Sequence, residues 1–204
     1  MVLCIFFALT LTFPFRLSSA LTSYEEVEPY LRYHTWSNDN SITDTIDYGN
    51  GSLARLILKT ESSHPDNPVF ACGFICTGTC DSHYLAVFIL SEINTSTTDP
   101  QEGFPGLVWL ANRDNPIREN GTLTLTSYGD LVLQDSDDTK VWSTDTSGKF
   151  IIGIILQEDG NLQLYSNDYT VWQSFDHPTD TLLPGQKFYE GSRLIASSST
   201  TDYF

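Results

Sequence analysis

An all-β fold built by internal repetition is what this sequence of 204 residues predicts, and three observations carry the prediction. Short runs alternate apolar and polar residues, among them "SLARLIL", "YLAVFIL", "GLVWLA", "TLTLT", "DLVLQ" and "NLQLY". Alternation of period two marks strands with one buried face. Turn clusters such as "YGNGS", "TSYGD" and "QEDGN" separate these runs. A spacing of about ten residues between turns suits a barrel, sandwich or prism. Finally, the runs repeat: "YGDLVLQDSDDTKVW" (Tyr128 to Trp142) matches "DGNLQLYSNDYTVW" (Asp159 to Trp172) with one gap.

The repeat aligns Gly129 with Gly160, Leu131 with Leu162, Leu133 with Leu164, and Val141-Trp142 with Val171-Trp172. Val108-Trp109 supplies a third pair at a similar interval, and "YGNGSLARLIL" (Tyr48 to Leu58) reads as a degenerate copy of the same turn-strand unit. A period of roughly 30 residues indicates a fold made of repeated units. Three units around an axis would bring Trp109, Trp142 and Trp172 together as structural core, because large rings fill a converging space better than aliphatics do.

Acidic residues outnumber basic ones 26 to 10, for a formal charge of -16. Such a chain is repelled by phosphate backbones and anionic membrane surfaces, which excludes nucleic acid as a partner. The N-terminal "MVLCIFFALTLTFPF" followed by "LSSA" predicts a signal peptide over residues 1–20, cleaved near Ala20, and hence a secreted, extracellular protein. A membrane anchor is the alternative, but the apolar stretch is short for a span of roughly 20 residues. Residues 21–29 then form a leader segment, 30–190 the folded domain and 191–204 a C-terminal strand or tail. Secretion makes the sequons at Asn50, Asn94 and Asn120 candidate glycosylation sites.

Removal of the leader takes Cys4 with it and leaves Cys72, Cys76 and Cys80 in "CGFICTGTC". A metal site with His83 is one reading; zinc ligands of this kind belong to reducing compartments and closer pairs. The other places Cys72, Phe74 and Cys76 on one strand face and turns the chain at "TGT", so that Cys76 and Cys80 bond across a hairpin neck. Cys72 is then a small buried hydrophobe or a thiol for another chain. No metal ligand set and no cofactor motif is assigned.

Three longer stretches carry a resemblance: "LVWLANRDNPI" (Leu107 to Ile117), "TVWQSFDHPTDTLLPGQ" (Thr170 to Gln186) and "FACGFICTGTCDSHYLAVFIL" (Phe70 to Leu90). From about Tyr30 to Thr201 the chain resembles the plant bulb-type (G-type) lectin domain of S-domain receptor-like kinase ectodomains and epidermis-specific secreted glycoproteins. The resemblance implies a β-prism II of three four-stranded antiparallel sheets with pseudo-three-fold symmetry. It also implies mannose-type glycans or glycoproteins as partners. Relatives of this kind exchange terminal strands, which leaves a homodimer open beside a monomer. Longer relatives continue into a kinase; no kinase motif stands in this sequence, so no such activity is carried over.

Mannose-binding members use Q-x-D-x-N-x-V-x-Y in each pocket. Here Gln157, Asp159, Asn161 and Tyr165 match, and Gln163 stands in place of the valine. An Asp acceptor beside an Asn amide can read a hydroxyl that both donates and accepts, while a valine offers apolar contact to ring carbons. The alternative is the wet face of an ordinary hairpin, since Asp-Gly-Asn forms turns without a ligand. In the preceding unit the row is Thr126, Tyr128, Asp130, Val132 and Gln134, in which only the valine fits. One pocket per chain is therefore expected, or none, in which case the domain serves as a protein-interaction module at the cell surface. "SFDHPTD" gathers Ser174, Asp176, His177 and Asp180. A triad needs convergent geometry that one short, Pro-interrupted loop does not provide, and the chain is read as no enzyme. "ANRDNP" reads as a packing turn in which Arg113 pairs with Asp114 or a neighbouring acid.

Overall fold

A computed structural model describes residues 34–48, 51–61, 64, 67–90, 106–167 and 169–195. The expected signal peptide and leader segment, Asn50, Asn94 and residues 196–204 lie outside them. Twelve strands are found among the described residues, all paired antiparallel. They are β1 (His34–Ser37), β2 (Thr45–Asp47), β3 (Leu53–Lys59), β4 (Val69–Cys76), β5 (His83–Leu90), β6 (Gly106–Leu110), β7 (Thr122–Leu125), β8 (Leu131–Gln134), β9 (Lys140–Ser143), β10 (Gly153–Leu156), β11 (Leu162–Tyr165) and β12 (Thr170–Gln173). The sheets run β2-β3-β4-β5-β6, β1-β7-β8-β9 and β10-β11-β12.

The three-fold relation lies in three meanders, β4-β5-β6, β7-β8-β9 and β10-β11-β12. In each, the tryptophan of the last strand stands opposite an apolar residue of the middle one: Val87 with Trp109, Leu133 with Trp142, Leu164 with Trp172. Immediately beyond that residue each pairing slips, at Val87/Phe88, Leu133/Gln134 and Leu164/Tyr165. A slip of this kind adds twist and bends the strand. Repeated three times at one register, it turns each sheet so that its Trp faces the axis. The three rings meet edge to face with centroids 5.7, 5.7 and 5.8 Å apart, the arrangement aromatic quadrupoles favour.

A polar side chain after each Trp strand secures the same corner. Asn112 Oδ1 accepts the N–H of Leu85 at 2.8 Å, Thr144 Oγ1 that of Leu131 at 3.1 Å, and Ser174 Oγ that of Leu162 at 3.0 Å. All three side chains are buried, so the bonds satisfy strand donors that water cannot reach. Leu123, Leu125, Leu131, Leu133, Leu162 and Leu164 fill the common core at 0–1% exposure.

Sheet sizes depart from the expected four strands each, being five, four and three. β1 and β3 extend their meanders beyond β7 and β4; among the described residues β10 has no strand on its outer side. The stretch Tyr48 to Leu58 is also corrected: it is not a copy of the turn-strand unit but half of the β2-β3 hairpin, which widens the first sheet. The unit's true counterpart is β5, whose Leu85 and Val87 occupy the places of Leu131 and Leu133. Its text escapes the repeat because both faces of that sheet are buried. Ala54, Leu56, Ala71, Ile75, Ala86, Phe88 and Leu110 form a second apolar cluster on the face away from the axis. Burial on both sides replaces alternation with the near-continuous runs "FACGFIC" and "YLAVFIL".

Cys76 and Cys80 are joined, closing the 77–79 turn, and Cys72 is a free thiol buried in the core. Burial pushes its pKa up to about 12, which keeps it protonated and inert. Arg113 pairs with Asp180 at 2.7 Å rather than with its neighbour Asp114, tying the 111–117 loop to the 177–183 segment.

The first two sheets are locked by a polar cluster in which Arg55, Asn38 and His83 are buried and Glu119 is 46% exposed. Arg55, 5% exposed, donates to Asn38 Oδ1 at 2.7 Å and to both oxygens of Glu119 at 2.9 and 3.0 Å. His83, 2% exposed, lies with Nε2 3.5 Å from Glu119. Burial is the largest influence on His83 and lowers its pKa from the usual 6.5; Arg55 pushes the same way, while Glu119, the Ile117 backbone and Asp81 oppose. The folded state thus binds fewer protons than the unfolded chain, and stability declines as pH falls below about 6.5. Asp39, Asp135, Asp137 and Asp145, whose pKa values are also lowered, act only at more acid pH, below the usual 3.8. Denaturant midpoints should therefore drop between about pH 7 and pH 5, and His83→Gln should flatten that slope. An unchanged slope in the variant would remove His83 as its cause.

Candidate functional site

The Gln157–Tyr165 row is organised by the turn between β10 and β11. Gln157 and Asn161 flank it, with the Gln157 N–H on Asn161 O at 3.0 Å and the Gly160 N–H on Gln157 O at 2.9 Å. Gly160 has φ +86°, and a Cβ there would come within 2.9 Å of Phe70 and Leu183, so only glycine fits. Asp159 sits exposed at the tip, its Oδ1 accepting the Asn161 N–H at 3.0 Å in an Asx turn. Beyond the turn, Leu162 and Leu164 point into the core at 0% exposure while Gln163 and Tyr165 face outward, half-buried.

Asn161 is 4% exposed and engaged on both ends of its amide. Its Nδ2 donates to Gln173 Oε1 at 2.9 Å, and its Oδ1 accepts the Phe175 N–H at 3.3 Å and the Ser174 hydroxyl at 3.4 Å. The counterpart in the preceding unit, Asp130, braces its own corner in the same way, with Oδ1 accepting the Thr144 hydroxyl at 2.9 Å and the Thr146 N–H at 3.0 Å. A short oxygen-bearing side chain at this position is therefore required by the corner, with or without a sugar.

Gln163 is the hub of the outer face. Its Oε1 accepts from Gln157 Nε2 at 3.4 Å and from Thr170 Oγ1 at 3.3 Å, and its Nε2 donates to Gln173 Oε1 at 3.4 Å. The amide that replaces the motif's valine thus ties Gln157 and Gln173 together through three long bonds. Gln173 and Thr170 were not singled out in sequence. Both lie on β12, opposite Gln163 and Tyr165 in register, and the outward period of "TVWQ" was the available signal. Tyr165 lies over Gly153 of the neighbouring strand; a Cβ at Gly153 would stand 2.6 Å from its hydroxyl oxygen. Glycine there leaves the ring a flat seat.

The face brings together four amide side chains, one carboxylate and one phenol, with no Lys or Arg among them. Its chemistry suits a neutral ligand rich in hydroxyls and disfavours an anionic one. In the preceding unit, Asp130 is taken as described, Gln134 Nε2 donates to Asp138 O at 2.9 Å, and Tyr128 stands 74% exposed, so no comparable row assembles. The residues of "SFDHPTD" are dispersed among structural contacts, with Ser174 at the corner, Asp180 on Arg113, and His177 stacked on Trp172 at 5.3 Å. Asn120 is exposed with φ +66° in the 118–121 turn.

Because Asn161 is an internal strut, Asn161→Ala should cost about 1–3 kcal/mol of stability by stranding the Phe175 N–H and the Gln173 amide. Denaturant unfolding checks this, and a variant as stable as the parent would show that the corner does not need the bonds.

The D-mannose binding lectin family matches residues 106–200. A G-type lectin S-receptor-like serine/threonine-protein kinase, SD2-5 of Arabidopsis thaliana, is 38% identical over 138 residues, which are 67% of this chain and 15% of the relative. EP1-like glycoproteins 4 and 2 of the same plant are 52% identical over 87 residues and 50% identical over 98, covering 42% and 47% of this chain and 20% and 22% of the relatives. The chain thus spans less than a quarter of each of these relatives. Three antiparallel sheets around a tryptophan axis, together with these matches, show that the chain carries a bulb-type lectin domain and belongs to the D-mannose binding lectin family.

Proposed function

We propose that the domain binds mannose-type glycans through the β11 face, with Gln157, Asp159, Asn161, Gln163 and Tyr165 as the contact row, and that it does so outside the cell after loss of residues 1–20. The observation that carries this reading is the polar row of the 157–161 turn and β11, four of whose five residues keep the family motif. Asp159 offers its second carboxylate oxygen to a sugar hydroxyl. Gln157 and Tyr165 flank it, and Gln173 joins them because its amide already bonds both Asn161 and Gln163. Glycosylation at Asn50, Asn94 and Asn120, and glycoproteins of the cell surface as partners, belong to the same reading.

Gln163 sets the affinity. Before a pyranose can pack its ring carbons there, the bonds that Gln163 makes to Gln157, Thr170 and Gln173 must rearrange, a cost a valine does not carry. A single pocket of this kind binds in the millimolar range, about -4 kcal/mol, and gains useful avidity only when copies are linked. A second reading is favoured by the same bonds: a row closed on itself leaves the prism as a protein-interaction module, with sugar binding lost.

Retention on mannose-agarose decides between them. The parent should be retarded, Asp159→Ala should weaken retention, and Gln163→Val should strengthen it several-fold. If all three elute alike, the β11 face does not read mannose and the interaction-module reading stands.

A further inference from the structure

On β10, Ile154 and Leu156 enter the core, so Gly153 and Ile155 face outward, with Gln157 next in the same column. Ile155 is 37% exposed, and among the described residues it is the one exposed large apolar side chain that belongs to a strand. Pairing sets it directly opposite Gln163 of β11. The equivalent pair of the preceding unit is Thr124 of β7 opposite Val132 of β8. The apolar member of the pair has thus crossed from the middle strand to the first.

Polar side chains surround Ile155 on three sides. Gln163 stands across from it, at the roughly 5 Å of directly paired residues. Gln157 lies two residues on along β10 and donates its amide to Gln163 Oε1 at 3.4 Å, which places both amides on this face. Tyr165 leans toward the same strand. A Cβ on Gly153 would stand 2.6 Å from its hydroxyl oxygen, so the phenol fills the β10 column one place before Ile155. On the fourth side, among the described residues, no strand lies outside β10, and the approach is open.

A lone exposed isoleucine needs no ligand; what sets Ile155 apart is the set of hydrogen-bonding side chains around it on one face. A pyranose has a C–H face that gains from leaving water and hydroxyls that need partners at the rim. Gln163 offers the C–H face little, because its amide is committed to Gln157, Thr170 and Gln173. We propose that Ile155 is the apolar half of the sugar seat and a determinant of its affinity. The ring lies across positions 155 and 163, with its C–H face on the Ile155 side chain and hydroxyls at Gln157 and Tyr165. This rests on the reading of the β11 row as a mannose-type site, and it moves the centre of that site toward β10.

The test is titration of the full chain, isotopically labelled at isoleucine δ1 methyl groups, with methyl α-D-mannopyranoside, followed by NMR. The Ile155 methyl should shift saturably, while that of Ile154, on the core side, stays in place. Valine and threonine have nearly the same shape and both are β-branched strand residues, so the two substitutions together isolate apolarity. Ile155→Val should bind within about three-fold of the parent, and Ile155→Thr about three- to ten-fold more weakly again. Should either variant not fold, the methyl shift in the parent decides. Saturable binding that Asp159→Ala abolishes, but with the Ile155 methyl unmoved or with the two Ile155 variants equal in affinity, overturns the proposal and leaves the reading of the row intact. No saturable shift of any resonance in the parent overturns both.

Discussion

Three indole rings meeting at one axis are the constraint on which the molecule depends. Each edge-to-face pair contributes about 0.5–1.5 kcal/mol beyond its buried area, and the three pairs form a closed triangle with sides of 5.7–5.8 Å. A register slip of one residue in any meander would turn its Trp outward and its outer row inward. The triangle therefore sets the register of β6, β9 and β12. Through the pairings with Val87, Leu133 and Leu164 it also sets the register of the middle strands. The corner side chains Asn112, Thr144 and Ser174 hold what the rings dictate. Chemically different residues serve because each needs only one acceptor for one strand N–H.

This division leaves the outer faces free to vary. Leu131 and Leu162 are interchangeable parts of one core, whereas Val132 and Gln163, one residue on, face solvent and need not agree. Asn161 belongs to neither class. Its side chain lies at the boundary and is used from within, by Ser174, Phe175 and Gln173, so its match to a sugar-reading motif also follows from the corner alone. The informative members of the row are Asp159, Gln157 and Tyr165, which no inward contact requires.

Much of the fold was legible in the residues. The Val-Trp pairs, the Gly-containing turns and the paired leucines are local signals, repeated, and repetition turns weak evidence into a register. Three things were not. The five-stranded sheet conceals its copy of the unit because burial on both faces erases alternation, so Tyr48 to Leu58 looked more like the repeat than Leu85 to Val87 did. Arg113 bonds Asp180, 67 residues away, and no spacing rule reaches that far. Gln173 joins the site only through cross-strand pairing with Gln163, on a strand whose text reads simply as core.

The order of residues by itself determined the three-fold plan, the polar row around the β10-β11 turn, and the hairpin that Cys76 and Cys80 close. Each follows from period, turn chemistry or short-range geometry, which are properties of a few neighbouring residues. Tertiary structure alone decided that Gln163 is bound into an amide network, that His83 lies buried beside Glu119 and Arg55, and that Arg113 is held by Asp180. These are matters of which distant side chains share a dry space, and hydrogen bonds and burial are decided there rather than along the chain.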